Sequence, residues 1–105
     1  MQDRITIHRN LCTEINELYA NKNADYGDSF AITRRRVPHA ILVRLWDKLL
    51  RLDTIMTKGV QHVSDETIDD TLLDLANYCL MELTERNVDK QSSAQQASVR
   101  AKTHS

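Results

Sequence analysis

Apolar positions recur along most of this chain at intervals of three and four residues, the spacing that gathers side chains on one face of an α-helix. From about Asp3 to Asn21, Ile7, Leu11, Ile15, Leu18 and Tyr19 share one side, with Thr6, Asn10, Thr13 and Glu17 on the other. The pattern predicts a first amphipathic helix. A second, from Pro38 to Thr57, is apolar around most of its circumference through Ile41, Leu42, Leu45, Trp46, Leu49, Leu50, Leu52 and Met56. It is expected to be central, with its surplus apolar surface covered by another subunit. A third starts after Ser64, a good N-cap, with Asp65 and Glu66 in its first turn complementing the helix dipole. Its apolar stripe, Ile68, Leu72, Leu75, Ala76, Cys79 and Leu83, is expected to face the core. Glu66, Asp70, Asp74 and Asn77 form a separate polar stripe.

Breaks in the pattern are few, since the chain holds only two glycines and one proline. Lys22 to Phe30 is polar and contains Gly27, which predicts a turn or ordered loop between the first two helices. Pro38 suits the first turn of the second helix, and Gly59 its C-terminal cap. Beyond Asn87 no apolar face remains that could offset the entropy of ordering, so 89–105 is expected to be a flexible tail. The expected fold is all-α: three main helices in an antiparallel bundle over residues 1–88, completed by oligomerisation.

With 105 residues, the chain makes one modest domain that buries only about 60% of its surface, which favours a homo-oligomer. A net charge of −1 argues against a general polyanion binder. Cys12 and Cys79 form no Cys-x-x-Cys arrangement, so a reducing cytosol is expected. No apolar run has signal-peptide or membrane-spanning length, and the expectation is a cytoplasmic protein without membrane contact.

The third helix carries the main candidate chemistry. Glu66, Asp70 and Asp74 stack about a turn apart without an intervening lysine or arginine, and a bound Mg²⁺ would relieve their mutual repulsion. Arg44, Asp47, Lys48 and Arg51 form a stripe on the second helix. If the two helices pack antiparallel, these stripes line one groove, where carboxylates hold a metal and cations neutralise phosphates. The plainer alternative is that they pair as surface salt bridges.

Three segments together resemble the nucleotide-modification-associated domain of many phage and prophage proteins. They are Lys22-Asn23-Ala24-Asp25-Tyr26-Gly27-Asp28-Ser29-Phe30, Arg44-Leu45-Trp46-Asp47-Lys48-Leu49-Leu50-Arg51-Leu52, and Asp65-Glu66 with Asp70-Thr71-Leu72-Leu73-Asp74-Leu75-Ala76-Asn77-Tyr78. The helical layout also looks like MazG-type nucleotide pyrophosphohydrolases, which hold Mg²⁺ through Glu-x-x-Glu and Glu-x-x-Asp pairs. Glu14 and Glu17 have the first spacing but lie on the first helix, and Thr71 stands three before Asp74 where that pattern has glutamate.

The resemblance implies a helical nucleotide-binding domain acting as an Mg²⁺-dependent nucleoside triphosphate pyrophosphohydrolase. Glu66, Asp70 and Asp74 are then the metal and catalytic residues. Arg44, Lys48 and Arg51 contact phosphates, and Lys22, Asn23, Tyr26 and Asn77 contact the remainder of the substrate; Glu14 and Glu17 are second-choice ligands. The alternative is a non-catalytic protein that sequesters a nucleotide signal, as in phage counter-defence.

Other residues have simpler readings. Tyr26 and Phe30 either stack on a base or anchor their loop. Arg34, Arg35 and Arg36 lack a wider basic face and read as a solvated turn instead of a nucleic-acid site. His8 and Cys12 sit one turn apart and are expected to pack in the core. Trp46 suits core or subunit interface.

Overall fold

In the first helix Asp3 stands where an N-cap is needed, and its Oδ1 accepts the Thr6 backbone N–H at 2.8 Å. A computed structural model describes residues 1–26, 28–57 and 65–103, with the side chains of 24–26, 65–66 and 102–103 outside that description. Among the described residues there are four helices and no strand, as the all-α expectation requires. They are α1 (Arg4–Tyr26), α2 (Ser29–Arg36), α3 (Ala40–Thr57) and α4 (Asp65–Thr103).

Three boundaries differ from the periodicity. The α1 helix runs on to Tyr26, because Lys22, Asn23, Ala24 and Asp25 contain no residue that stops a helix before Gly27. The segment after it is not all loop: Ser29–Arg36 forms the short α2, closed where the Val37 N–H donates to the Thr33 carbonyl at 2.8 Å. Pro38 and His39 form the turn before α3, so proline precedes that helix without entering it. The α4 helix does not fade near Asn87 but continues to Thr103. Its last third is rich in Gln, Ala and Ser, with no glycine or proline, so the good helix formers Ala and Gln carry the helix on even without an apolar face. Gly59 and Ser64 lie outside the described residues.

The α3 and α4 helices pack most extensively. Lys48 pairs with Asp74, and Arg44 meets Tyr78; rising numbers on α3 meet falling numbers on α4, so the two are antiparallel. Arg34 on α2 reaches Glu82 and Asp89 of α4, and α1 touches α4 along its own flank.

The largest correction concerns the face that α4 turns inward. Of the stripe expected to face the core, Ile68, Leu75 and Ala76 are half-buried but Leu72, Cys79 and Leu83 are exposed, whereas Thr71 and Asn77 are buried and Asp74, Tyr78, Met81, Glu82 and Glu85 are half-buried. Within the single chain, α4 thus packs through part of each stripe, with Asp74 and Asn77 of the polar one turned inward beside Leu75 and Ala76. Thr71 tolerates this because its hydroxyl donates to the Thr67 carbonyl at 2.8 Å. Among the described residues the fully buried apolar ones are Ile15 and Ala31, and Ile41, Leu45, Leu52, Leu73 and Leu75 are half-buried, so the single chain has a small core. His8 and Cys12, expected in the core, are both exposed on α1, with Sγ 3.8 Å from Nδ1.

Candidate functional site

Where the C-terminal part of α1, the start of α2 and the middle of α4 converge, they enclose a cavity of about 140 Å³. The first helix supplies Tyr19, Lys22 and Asn23, the second Ser29, Phe30 and Ala31 with Asp28 before it, and the fourth Asn77, Met81 and Glu85. The extension of α1 past Asn21 is what brings Lys22 and Asn23 onto a wall. Three residues expected at the substrate therefore line one cavity, although Asn77 is 54 or more positions from Lys22 and Asn23 in sequence.

Asn77 is the most constrained of them. The residue as a whole is only 8% exposed; its side-chain amide hydrogen-bonds to no described residue and lines the cavity, where its polar atoms stay within reach of solvent. An amide has two donor hydrogens and two acceptor lone pairs, and a buried one without protein partners keeps them for water or a ligand. Asn23 is half-buried nearby, so two amides line the same space with the rings of Tyr19 and Phe30.

A second cavity of about 150 Å³ adjoins the first, sharing Ser29, Phe30 and Met81, and extends to Thr33, Arg44 and Tyr78. The Arg44 guanidinium carbon lies 5.8 Å from the centre of the Tyr78 ring, within cation–π range. One of its nitrogens stands 3.5 Å from the Tyr78 hydroxyl, at the long limit for a hydrogen bond. One turn further along both helices, Lys48 Nζ is 3.1 Å from Asp74 Oδ2. The order along the groove is thus amides and rings, then Arg44, then the Lys48–Asp74 pair.

The α2 wall is pinned by Arg34. Its Nε and Nη2 donate to the two Glu82 carboxylate oxygens at 3.0 and 3.1 Å, and Nη1 donates to Asp89 at 2.7 Å. Hydrogen bonds to Glu82 and then to Asp89 raise the guanidinium pKa further above its ordinary value. Arg34 is therefore a structural cation and not part of a solvated turn, whereas Arg35 and Arg36 are exposed.

The predicted acidic centre is only partly assembled. Asp74 faces Lys48, the contact that both the groove reading and the plain salt-bridge alternative expect. Asp70 and Arg51 are exposed, and neither side chain enters an ion pair with a described residue. Glu66 and Tyr26 have side chains outside the described residues. Glu14 and Glu17 are exposed on α1. Among the described residues no group of three His, Cys, Asp or Glu could hold a metal ion. Of the three predicted ligands, Asp70 and Asp74 are described, and Asp74 is paired with Lys48.

Tyr19, Tyr78 and Met81 were not among the candidate residues. Tyr78 had a signal, since it lies one turn after Asp74 on the same face. Tyr19 looked like ordinary core on α1, and only the convergence of three helices makes it part of a wall. No described helix is long and apolar enough to cross a membrane.

Residues 22–85, well over half of the chain, match the family model described as nucleotide modification associated domain 1. The match spans both cavities except Tyr19. No curated protein and no solved structure matches the chain.

Proposed function

We propose that this chain, which belongs to the nucleotide modification associated domain 1 family, is a nucleotide-binding protein whose ligand lies along the groove from Asn77 to Arg44. The observation that carries the reading is the side-chain amide of Asn77, a residue nine-tenths buried, which lines an open cavity without a hydrogen-bond partner among the described residues. Such a group discriminates donors from acceptors on a base edge, because a ligand that leaves it unpaired forfeits about 1–3 kcal/mol.

The division of the groove follows from its chemistry. A cavity of about 140 Å³ is smaller than the ~300–1,000 Å³ of sites that enclose a drug-sized ligand, so it takes one ring system and not a whole nucleotide. Tyr19 and Phe30 offer faces to a base, and Asn23 and Asn77 its hydrogen bonds. Asp28 and Glu85 outweigh the one cation at this end, Lys22, so the end suits ribose hydroxyls, with Lys22 donating to them or to a base acceptor. Phosphates then extend towards Arg44 and Lys48, where the cations are. The family's description, which couples it to nucleotide modification, agrees with this class of ligand.

Sequestration of a nucleotide without turnover, as a phage counter-defence protein would achieve it, fits this groove better than pyrophosphohydrolysis does. Hydrolysis in the MazG manner needs Asp74 to exchange Lys48 for Mg²⁺, with Asp70 and Glu66 joining it. The specific point in its favour is that Asp70 and Asp74 are one turn apart on α4, beside the cationic end of the groove.

Calorimetric titration with a panel of nucleoside mono-, di- and triphosphates and cyclic nucleotides, with and without Mg²⁺, tests the proposal. Binding that weakens at least ten-fold in Lys22→Ala and Asn77→Asp, with helicity retained, is expected. If no nucleotide binds, or if both variants bind as the wild type does, the site is misassigned. Chromatography of the incubated ligand separates the two outcomes: unchanged ligand supports sequestration, and Mg²⁺-dependent release of pyrophosphate that vanishes in Asp74→Asn supports hydrolysis.

A further inference from the structure

The single chain leaves uncovered an apolar face that spans both helices of the α3–α4 hairpin, and we infer that a second copy of the chain covers it, forming an antiparallel four-helix bundle. On α3, Leu42, Leu45, Leu49, Leu52 and Met56 follow one another at intervals of three, four, three and four. On α4, Ile68, Leu72, Leu75 and Cys79 follow at four, three and four. That is the heptad spacing of a helix-packing seam.

Both seams lie on the same side of the hairpin. Lys48 and Asp74 mark the line along which the helices face each other. Leu49 follows Lys48 and Leu75 follows Asp74, and one residue turns a helix by about 100°. Because the helices are antiparallel, equal rotation carries both leucines to the same flank.

Exposure shows which half of each seam is waiting. Leu45, Leu52, Ile68 and Leu75 are half-buried against the neighbouring helix, whereas Leu42, Leu49 and Met56 are 62%, 51% and 61% exposed. Leu72 and Cys79 are exposed as well. The seam is thus half filled, with the outer knobs lacking holes.

Area identifies the occupant. The chain exposes 8724 Å², against about 6,000 Å² for a compact monomer of its mass. Part of that excess belongs to the projecting end of α4. The remainder readily supplies the ~800 Å² per partner that a stable interface uses. A two-fold axis lets the same hairpin face serve on both sides. The net charge of −1 gives two copies little reason to repel. This inference does not rest on the nucleotide groove, which lies on the other flank of α4 with Asn77.

Light scattering during gel filtration of the full chain is expected to give twice 12.1 kDa, and Leu49→Glu to halve that mass while circular dichroism stays helical. Cys12 and Cys79 are both exposed in the single chain, but only Cys79 lies in the seam. A maleimide should therefore modify Cys12 at least ten-fold faster than Cys79 in the wild type, read by peptide mass spectrometry. The contrast should disappear in Leu49→Glu or, if that variant does not fold, in Leu72→Gln. A wild-type mass of 12.1 kDa at every concentration, or equal labelling of the two thiols, would overturn the inference. A doubled mass that survives both substitutions would overturn it too, since the interface would then lie elsewhere.

Discussion

Replacing Arg34 by methionine keeps an aliphatic stem of similar reach and removes the charge that ties α2 to α4. The guanidinium makes two bonds of 3.0 and 3.1 Å to Glu82 and one of 2.7 Å to Asp89. The side chains of Arg34 and Glu82 are 20% and 19% exposed, whereas Asp89 is 63% exposed. The Asp89 bond, largely in water, therefore contributes little, about 0–1 kcal/mol. The two-pronged Glu82 contact is worth more, because losing it leaves a carboxylate four-fifths covered without its cation; about 2 kcal/mol is expected for the whole substitution.

For a chain of this size each kcal/mol moves the melting temperature by roughly 4–8 °C, so Arg34→Met should melt about 8–16 °C lower. A double-mutant cycle with Glu82→Gln isolates the pair, and a coupling of about 1–2 kcal/mol is the expected result. Arg34→Lys should recover less than half of the loss, since an ammonium cannot make the paired bonds of the planar fork. Nucleotide affinity should fall with stability, because α2 carries Ser29 and Phe30 of the cavity wall. A coupling indistinguishable from zero, or full rescue by lysine, would mean that the clamp does not hold α2 in solution.

Other outcomes follow from the same geometry. The Lys48 and Asp74 side chains are 29% and 37% exposed, so Lys48→Met should change unfolding stability by no more than about 1 kcal/mol in denaturant titration. It should also raise affinity for divalent cations if Asp74 and Asp70 belong to a metal seat. Asp3 caps α1, and the Thr6 backbone N–H holds its pKa below the ordinary 3.8. Its contribution is therefore present above the unfolded-state pKa and is lost as pH falls through the folded one. Helicity of the wild type should decline across that acid range, and subtracting the Asp3→Ala curve should isolate the cap. Ending the chain after Val88 removes exposed residues and the Asp89 bond. The truncated protein should lose the helical signal of that segment but at most about 1 kcal/mol of stability; a collapse of the fold would show that the end of α4 packs on something in the assembly.

Much of the fold was legible because helical periodicity is a local property. The spacing of apolar residues, with only two glycines and one proline, was enough for an all-α chain, for α3 ending at Thr57 and for α4 starting at Asp65. Stopping points were less legible where propensity and burial disagree. At Lys22–Asp25 and beyond Asn87 the residues offer no apolar face but also no glycine or proline to break the helix, and it continued in both places. The site was legible in its parts: Lys22, Asn23, Arg44, Lys48, Asp74 and Asn77 all line one groove or the ion pair that ends it. Arg34 was missed because nothing in three adjacent arginines says which one finds a carboxylate.

Sequence by itself determined which residues share a face on each helix, since that follows from 3.6 residues per turn and needs no neighbour. It could not determine how each helix is rotated against the next. An apolar stripe satisfies the hydrophobic effect equally well against its own chain or against another molecule, because the effect has no direction and depends only on the area removed from water. Tertiary structure alone decided that α4 turns Thr71, Asp74 and Asn77 inward and leaves Leu72 and Cys79 outside. That choice put the Asn77 side chain on the wall of a cavity, and left Asp70 facing solvent.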